Sequence, residues 1–378
     1  MKRLLVITTS FPDKMDGSEA AGAFVADFVR EAAKHVQVHV VAPGSGNNVS
    51  REGALSVHRF HAPRLPLSLL KPYNPLDWRG ILDTLGAGQA AVDTLVREYA
   101  FDHLLALWAL PSGYWAKKTG VPYSTWALGS DIWTLGKVPL VRGILGNVLR
   151  DGRFRFADGI ALSRDVERIC GKPCLFLPSS RVLCTNPGPS VQGKPPYKLV
   201  FLGRFHPNKG IDLLLDALDR LGKMERSAIA RIRIAGGGPL QSEVEARVRC
   251  LQAKGLPVAL EGYKNQEEAR ELLAWGDIVL IPSRIESIPV IFSDAMQMGK
   301  PVIAMPVGDL PALITDHKVG LVAPQVDAGS FAKMLAPASL DAVARLASHT
   351  GAAAEKFSVT GATRHFLAAA GMIASGTH

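Results

Sequence analysis

Short apolar runs alternate with longer amphipathic segments along this chain. Runs such as Leu4–Thr8 and Val36–Ala42 have the length of buried strands, and Ala23–Lys34 between them has the 3.6-residue period of a helix. Strands that alternate with helices are typical of a parallel sheet covered on both faces. Further runs of strand length in the first half are Leu104–Trp108, Tyr123–Ala127, Gly159–Ser163 and Cys174–Pro178. The pattern restarts at Lys198–Leu202, so the sequence predicts two doubly wound α/β domains.

The boundary between these domains is predicted within 178–196, which is rich in Pro, Gly and Ser and lacks periodicity. We therefore expect a first domain at 1–180, a linker at 181–197 and a second domain at 198–357. A chain of 378 residues can bury a core in each domain. The Ala-rich tail, about 358–378, is predicted to be helical.

One stretch, residues 277–310 (DIVLIPSRIESIPVIFSDAMQMGKPVIAMPVGDL), combines two predicted strands with a short helix. Pro289 and Gly299 supply the start and stop signals of that helix. Both strands would end at the carboxyl edge of a parallel sheet, where α/β proteins bind ligands. The N–H groups of the helix start, around Ile288–Ile291, would point into that crevice and suit a phosphate.

Two carboxylates belong to this stretch. Glu286 lies on the loop before the helix, and Asp294 falls within the apolar arc of the helix. A charge at Asp294 needs a partner or a ligand, and Lys300 or Arg284 could serve as that partner. Taken alone, Glu286 is equally well described as an exposed loop charge.

A pair of cations follows the first strand of the second domain, in the loop GRFHPNKG at 203–210. Arg204 and Lys209 would face the same crevice as the helix start and could neutralise a diphosphate. Judged by themselves, they could also be solvated loop cations.

These motifs resemble those of retaining nucleotide-sugar glycosyltransferases of the GT-B fold, chiefly glycosyltransferase family 4. The E-x7-E donor motif of that family reads Glu286-x7-Asp294 here, with Asp in place of the second Glu. The loop at 203–210 and the glycine turn Gly236–Pro239 are similar to two further family motifs. The resemblance is strong over about 198–325, moderate over 1–45 and 120–135, and weak elsewhere.

The resemblance implies two Rossmann-like domains that face each other across a cleft, with the C-terminal helix returning to the first domain. It implies that Arg204 and Lys209 hold the β-phosphate, that Glu286 binds the donor sugar and that Asp294 binds the ribose. The remaining predicted donor contacts are Gly203, Gly236, Gly238, Tyr263, Ser287, Ile288, Pro289 and Val290. Transfer would retain the anomeric configuration, with the leaving phosphate acting as base.

The first domain offers fewer candidate residues. Gly22, in the first strand–helix connection, could let the backbone approach a ligand, although a flexible connection is an equal alternative. In Leu128–Trp133 (LGSDIW), Asp131 fits a family motif and is carried over as a catalytic candidate. Leu128 stands where the family often has a His that lies close to the transferred sugar.

We expect no metal and no cofactor beyond the nucleoside diphosphate sugar, because no Walker loop, metal-ligand cluster or Asp-x-Asp motif stands out. Cys170, Cys174 and Cys184 match no zinc template, so free thiols are favoured. The apolar N-terminal run is short for a signal peptide and is predicted to be the first strand. No apolar run reaches the roughly 20 residues of a membrane span.

The formal charge of +9 is uneven along the chain. Residues 1–195 carry 23 basic against 16 acidic side chains, or +7, and the remainder carries +2. Two stretches, 59–78 and 133–156, interleave cations with large apolar residues, a pattern that suits an anionic membrane surface as well as ordinary packing. We expect a cytoplasmic protein, peripheral at the inner membrane face, with a glycan, lipid-linked or small-molecule acceptor and no nucleic-acid partner.

The leading functional hypothesis is therefore a metal-independent glycosyltransferase that acts in cell-envelope or polysaccharide synthesis. A non-catalytic nucleotide-sugar binding protein is the first alternative, and a nucleotide-sugar epimerase or sugar phosphorylase of the same fold is the second. A dinucleotide oxidoreductase is poorly supported, because no G-x-G-x-x-G follows either opening strand.

Overall fold

The computed structural model describes residues 1–12, 19–65, 67, 70, 74–182 and 193–374. The chain divides into two compact units, one of Met1–Arg181 with Val359–His378 and one of Val182–Ser358. We call these the first and the second domain. Residues 183–192 of the predicted linker, including Cys184, lie outside the described residues.

The first domain is built on an eight-stranded sheet in which the strands run in the order β3-β4-β2-β1-β5-β6-β7-β8. All neighbouring strands are parallel except β3, which runs antiparallel to β4. The strands are β1 (Arg3–Ile7), β2 (Gln37–Gly44), β3 (Asn48–Glu52), β4 (Leu55–His61), β5 (His103–Leu107), β6 (Tyr123–Ala127), β7 (Phe154–Ala157) and β8 (Leu175–Phe176).

Helices cover both faces of this sheet, as expected for parallel strands that are apolar on both sides. The helices are α1 (Glu19–Ala33), α2 (Trp78–Glu98), α3 (Ser112–Lys118), α4 (Ser130–Trp133), α5 (Pro139–Asp151) and α6 (Ile160–Cys170). Alternate residues of β1 enter opposite cores, so Leu4 packs on the face of α1 and Leu5 on the face of α2 and α3.

The second domain has a six-stranded, fully parallel sheet in the order β11-β10-β9-β12-β13-β14. Its strands are β9 (Tyr197–Leu202), β10 (Ile229–Ala235), β11 (Val258–Leu260), β12 (Ile278–Ile281), β13 (Val302–Ala304) and β14 (Gly320–Val322). Its helices are α7 (Ile211–Asp219), α8 (Lys223–Ser227), α9 (Gln241–Ala253), α10 (Gln266–Trp275), α11 (Val290–Gln297), α12 (Leu310–His317), α13 (Ala328–Met334), α14 (Pro337–Arg345) and α15 (Thr350–Lys356). The predicted doubly wound α/β class is confirmed.

The last helix, α16 (Val359–Ala369), belongs to the first domain. Phe366 of α16 packs edge-on against Phe28 of α1 and Phe156 of β7, with ring centroids 5.7 and 5.5 Å apart. Phe366 has no exposed surface, so this helix completes the core on the α1 face of the sheet.

One predicted strand is wrong. Gly159–Ser163 begins helix α6, and the strand lies earlier, at β7. A short apolar run does not distinguish a strand from a buried helix by periodicity alone. Arg155 also interrupts the apolar pattern of β7, although it is only 7% exposed and its guanidinium donates to the carbonyls of Leu149, Gly152 and Pro173.

Candidate functional site

The strand order of the second domain reverses between β9 and β12, which are adjacent and in register at Leu199 and Ile278. The loops that leave these two strands lie at the carboxyl edge of the sheet, the usual ligand site of such sheets. A cavity of about 160 Å³ lies here. It is lined by Arg204, His206, Asn208, Lys209, Ile285 and Glu286.

Three predicted site residues meet in this cavity. The Lys209 ammonium donates to a carboxylate oxygen of Glu286, and the two side chains are 32% and 14% exposed. Arg204 is exposed beside this pair. Two cations and one carboxylate leave the cavity with net positive charge, which suits an anionic ligand.

A second ion pair joins the β12–α11 loop to the first turn of α7, and the sequence did not reveal it. Arg284, two residues before Glu286, donates to both carboxylate oxygens of Asp212 at 2.7 and 2.5 Å and to the Pro207 carbonyl at 2.7 Å. The Arg284 backbone N–H donates to the carbonyl of Asn208 at 2.8 Å. Burial raises the pKa of Asp212, but the hydrogen bonds and charge of Arg284 outweigh it and leave that pKa below its ordinary value.

Glycines allow neighbouring loops to pack closely against this cavity. Gly236 has φ of +146°, and a Cβ there would collide with the Gly203 carbonyl oxygen. Gly308 has φ of +55°, and a Cβ there would collide with the Glu286 carbonyl oxygen. A Cβ on Gly238 would likewise lie 2.8 Å from the Phe205 carbonyl oxygen. These glycines therefore support the cavity loops through backbone packing, whatever ligand contacts they make.

The helix predicted to face the crevice begins one residue later than expected. Pro289 is the N-cap, with φ of −69° and ψ of 139°, and Val290 is the first helical residue. Gly299 follows the helix with φ of +69°, which agrees with the predicted stop. Ser287 and Ile288 are partly exposed, and Val290 is 38% exposed, so the helix start is open to solvent. The Ser287 hydroxyl is buried and has no hydrogen-bond partner among the described residues.

Two other predicted donor contacts lie in contrasting surroundings. Tyr263 follows β11 and is 74% exposed, so its ring is free to contact a ligand. Asp294 has no exposed surface. The Asp294 carboxylate can reach a ribose only if its surroundings move, and that role stays a prediction. Arg284, considered from the sequence as a partner of Asp294, pairs with Asp212.

In the first domain, the candidate residues Asp131 and Gly22 already contact backbone atoms of the protein itself. Asp131 is 2% exposed, and its carboxylate accepts the N–H groups of Ala109 at 2.6 Å and Leu128 at 3.3 Å. Burial raises the pKa of Asp131, and these backbone hydrogen bonds oppose the rise. Gly22 lies in α1, where a Cβ would be 2.9 Å from the Phe11 Cα. This geometry favours a positioning role for Asp131, and the close approach expected at Gly22 is made by the chain's own loop.

The two stretches that interleave cations with apolar residues, 59–78 and 133–156, are partly buried. Besides the buried Arg155, Arg59 donates to the carbonyls of Phe11, Pro12 and Pro43. The start of α5 differs, because Lys137, Val138, Arg142 and Ile144 are all exposed there. No helix in the described part of the chain is both long and apolar enough to span a bilayer.

No group of three or more His, Cys, Asp or Glu side chains in the described ranges could hold a metal ion. The three described cysteines, Cys170, Cys174 and Cys250, are free thiols. Burial raises the pKa of the Cys174 thiol to about 12.

Comparison with known proteins places the resemblance in the second domain. Residues 196–338 match the family described as Glycosyl transferases group 1. The alpha-D-kanosaminyltransferase of Streptomyces kanamyceticus is 28% identical over 128 residues, which are 33% of this chain and 32% of the relative. The putative colanic acid biosynthesis glycosyltransferase WcaL of Escherichia coli is 28% identical over 157 residues, 40% of this chain and 38% of the relative. The matches thus span about a third of these relatives' length.

Solved structures are similar over nearly the whole chain. The sucrose-phosphate synthase of Thermosynechococcus elongatus has a TM-score of 0.65 at 16% identity and covers 97% of both chains. The Anabaena protein HepE, in complex with UDP and glucose, has a TM-score of 0.67 at 15% identity, over 99% of this chain and 100% of its own. An alpha,alpha-trehalose-phosphate synthase from Burkholderia vietnamiensis reaches 0.71 at 11% identity and 99% of both chains. The fold is that of the GT-B glycosyltransferases, and the match to the group 1 family lies in residues 196–338.

Proposed function

We propose that the protein is a glycosyltransferase of the retaining family 4 class that uses a nucleoside diphosphate sugar without a metal ion. The observation that carries this proposal is the cavity of Arg204, Lys209 and Glu286 at the strand reversal of the second domain. That cavity lies within the segment that matches the group 1 family. The acceptor would be a glycan, a lipid-linked sugar or a small molecule of cell-envelope or polysaccharide synthesis, and the colanic acid relative supports this setting.

The chemistry follows from the charges. Arg204, Lys209 and the start of α11 would hold the diphosphate, and stabilising the negative charge that develops on it is the main catalytic effect. Glu286 would accept hydrogen bonds from the sugar hydroxyls. The bond from the anomeric carbon to the phosphate oxygen breaks as the bond to the acceptor oxygen forms on the same face. The acceptor proton passes to the departing phosphate, so no protein base is required.

Donor binding is the first test. UDP, GDP and ADP are compared with NAD for their effect on the melting temperature of the purified chain. A ligand at about 100 times its Kd stabilises the folded state by about 2.7 kcal/mol. Stabilisation by one diphosphate and not by NAD is expected, and stabilisation by NAD alone would contradict the proposal.

Turnover is the second test. UDP-, GDP- and ADP-sugars are incubated with an acceptor panel, with and without EDTA, and released nucleoside diphosphate is measured. NMR of the product then gives the anomeric configuration. Retention of configuration with EDTA-insensitive turnover is expected; inversion, or dependence on a divalent ion, would reject the corresponding part of the proposal.

A non-catalytic nucleotide-sugar binding protein is the second candidate. Two observations favour it, the full burial of Asp294 and the engagement of Asp131 by backbone amides beside Leu128. Tight donor binding with no turnover for any acceptor would support this candidate over the enzyme.

The partner surface proposed for the first domain is the start of α5. Lys137 and Arg142 lie there beside the exposed side chains of Val138 and Ile144, and no acidic residue occurs between Ile132 and Arg150. Apolar anchors with cations suit an anionic bilayer, and we propose a peripheral position at the cytoplasmic membrane face. Salt-sensitive binding to liposomes that contain anionic lipid is expected. Absence of binding at low salt, or equal binding by K137E/R142E, would remove the proposal.

A further inference from the structure

We propose that Arg284 and Asp212 are a positioning pair that sets the geometry of Lys209 and Glu286. This inference rests on the proposed function, since it concerns how the same cavity binds a nucleoside diphosphate. Neither Arg284 nor Asp212 lines the cavity, yet each lies within three residues of a side chain that does.

The pair links two loops that leave different strands of the sheet. The β9–α7 loop carries Lys209, and the β12–α11 loop carries Glu286. Arg284 spans the two loops with a bidentate contact to Asp212 and a third bond to the Pro207 carbonyl. A bidentate guanidinium–carboxylate contact fixes direction as well as distance, which a lysine ammonium cannot do.

A backbone hydrogen bond joins the same two loops. The Arg284 N–H donates to the Asn208 carbonyl, so a main-chain hydrogen bond joins the residue before Lys209 to the residue two positions before Glu286. The 3₁₀ turn Pro207–Lys209 therefore contacts both residues: its Pro207 and Asn208 carbonyls accept hydrogen bonds from Arg284, and its Lys209 ammonium donates to Glu286. Loss of the Arg284 fork should let the turn shift, and a displacement of about 1 Å at a binding group can cost up to a hundredfold in rate.

The chain offers a matched control on the same helix. Arg247 of α9 pairs with Asp216 of α7, one turn after Asp212, and it is 29% exposed where Arg284 is 33% exposed. Arg247 takes no part in the cavity lining. Arg284→Lys and Arg247→Lys thus each disturb a guanidinium–carboxylate pair of α7. Arg247 also donates to the backbone carbonyl of Asp212 at 3.4 Å, but only Arg284 bonds the Asp212 carboxylate and the Pro207 carbonyl of the cavity loop.

The experiment measures the Kd of the preferred nucleoside diphosphate for the wild type, both variants and Asp212→Asn, at a temperature where each is folded by circular dichroism. Arg284→Lys and Asp212→Asn are expected to weaken binding roughly tenfold, and Arg247→Lys less than twofold. Equal Kd values for Arg284→Lys and wild type would overturn the inference. Absence of binding by the wild type would instead reject the proposed function.

A double-mutant cycle separates positioning from general stability. If Arg284 acts through Lys209, then Arg284→Lys should change the Kd little in a Lys209→Ala background, because the group that it positions is gone. The same tenfold weakening in both backgrounds would mean that Arg284 acts independently of Lys209 and would also overturn the inference.

Discussion

The two domains repeat one strand order around their first strand but use polar residues at the carboxyl edge differently. In the second domain, Arg204, Lys209 and Glu286 line an open cavity. In the first domain, Asp131 of α4 and Arg59 of β4 direct their hydrogen bonds to backbone amides and carbonyls of neighbouring segments. A charge near the crevice thus indicates ligand binding only where its hydrogen-bonding capacity is not already taken by the main chain.

The largest expected effect tests the second-domain cavity. Glu286→Ala should lower transfer by about 10²–10³-fold, since it removes the carboxylate proposed to contact the sugar. Stability should change by less than about 1 kcal/mol, because the lost partner, Lys209, is partly solvated. Nucleoside diphosphate release and thermal melts measure the two quantities.

Glu267→Ala is the control for that variant. Glu267 pairs with Arg270 on the surface of α10 and does not line the cavity. The transfer activity of Glu267→Ala should match that of the wild type. Full activity in Glu286→Ala would remove Glu286 from the site.

A glycine variant tests how the second domain holds its loops. Gly236→Ala should lower the free energy of unfolding by about 4 kcal/mol, since it combines an unfavourable φ with a backbone collision at Gly203. Gly255→Ala shares the positive φ, at +79°, but meets no atom within 4 Å, and should cost about 1 kcal/mol. Urea denaturation measures both, and equal losses would contradict the close-packing argument.

For Asp131 in the first domain we expect the opposite result, a loss of stability with unchanged binding of the nucleoside diphosphate. Asp131→Ala should cost about 3 kcal/mol of stability, because it removes the acceptor of the buried Ala109 amide and of the partly buried Leu128 amide. Stabilisation of the variant by the nucleoside diphosphate should be unchanged. Asp151→Ala, which removes an exposed partner of Lys117, should leave stability nearly unchanged. Loss of turnover in Asp131→Asn with unchanged stability would restore Asp131 as a catalytic residue.

Acid should destabilise the first domain before the second. Burial lowers the pKa of His39 and of His103 to about 4, with smaller contributions from His58 and Arg3 at His39 and from Arg153 at His103. The unfolded chain binds these protons below pH 6.5 and the folded chain only near pH 4. The contribution of each neutral histidine to the free energy of unfolding is therefore fully present above pH 6.5. It is lost as the pH falls from 6.5 towards 4, and the loss reaches roughly 2 kcal/mol for each histidine by pH 5.

Hydrogen exchange at pH 7 and pH 5 resolves the two domains, after correction for the intrinsic exchange rate. Amides of β2 and β5 should lose protection at pH 5 more than those of β9 and β12. Among the described residues, burial lowers the pKa of one histidine in the second domain, His317, and of four in the first, His39, His58, His103 and His365. The lowered pKa of Asp212 acts at lower pH, since its stabilisation is lost only as that carboxylate is protonated. Equal loss in both domains would contradict this difference.

The strands and helices with strong patterns were predictable from the sequence, and the polar hairpin was not. β9 lies within one residue of its predicted ends, and α11 begins one residue after its predicted start, because apolar periodicity and flanking Pro or Gly residues define them. β3 is exposed at every position and is polar at four of five, so it carries no periodic signal. Its strand state arises from antiparallel pairing with β4.

In the candidate site, residue identity was predictable and pairing was not. Arg204, Lys209 and Glu286 stand out because each lies on a loop at a strand end, and the fold brings such loops together. The Arg284–Asp212 contact joins residues 72 apart, and the Lys209–Glu286 contact joins residues 77 apart. Nothing in local spacing distinguishes these partners from other nearby charges. Periodicity placed Asp294 within the apolar arc of α11, where it is buried, but did not identify α15 as the helix that packs against α11.

The return of α16 to the first domain has a consequence for the order of folding. The second domain is one continuous segment, whereas the first closes its core with Phe366, more than 350 residues after β1. On the ribosome, β1–β8 emerge early but cannot bury the face that α16 covers until the second domain has been synthesised. Until α16 is synthesised, that face of the sheet stays an uncovered apolar surface. Contacts between residues so far apart in sequence also form slowly. Of these two domains, the first is therefore translated earlier but completed later.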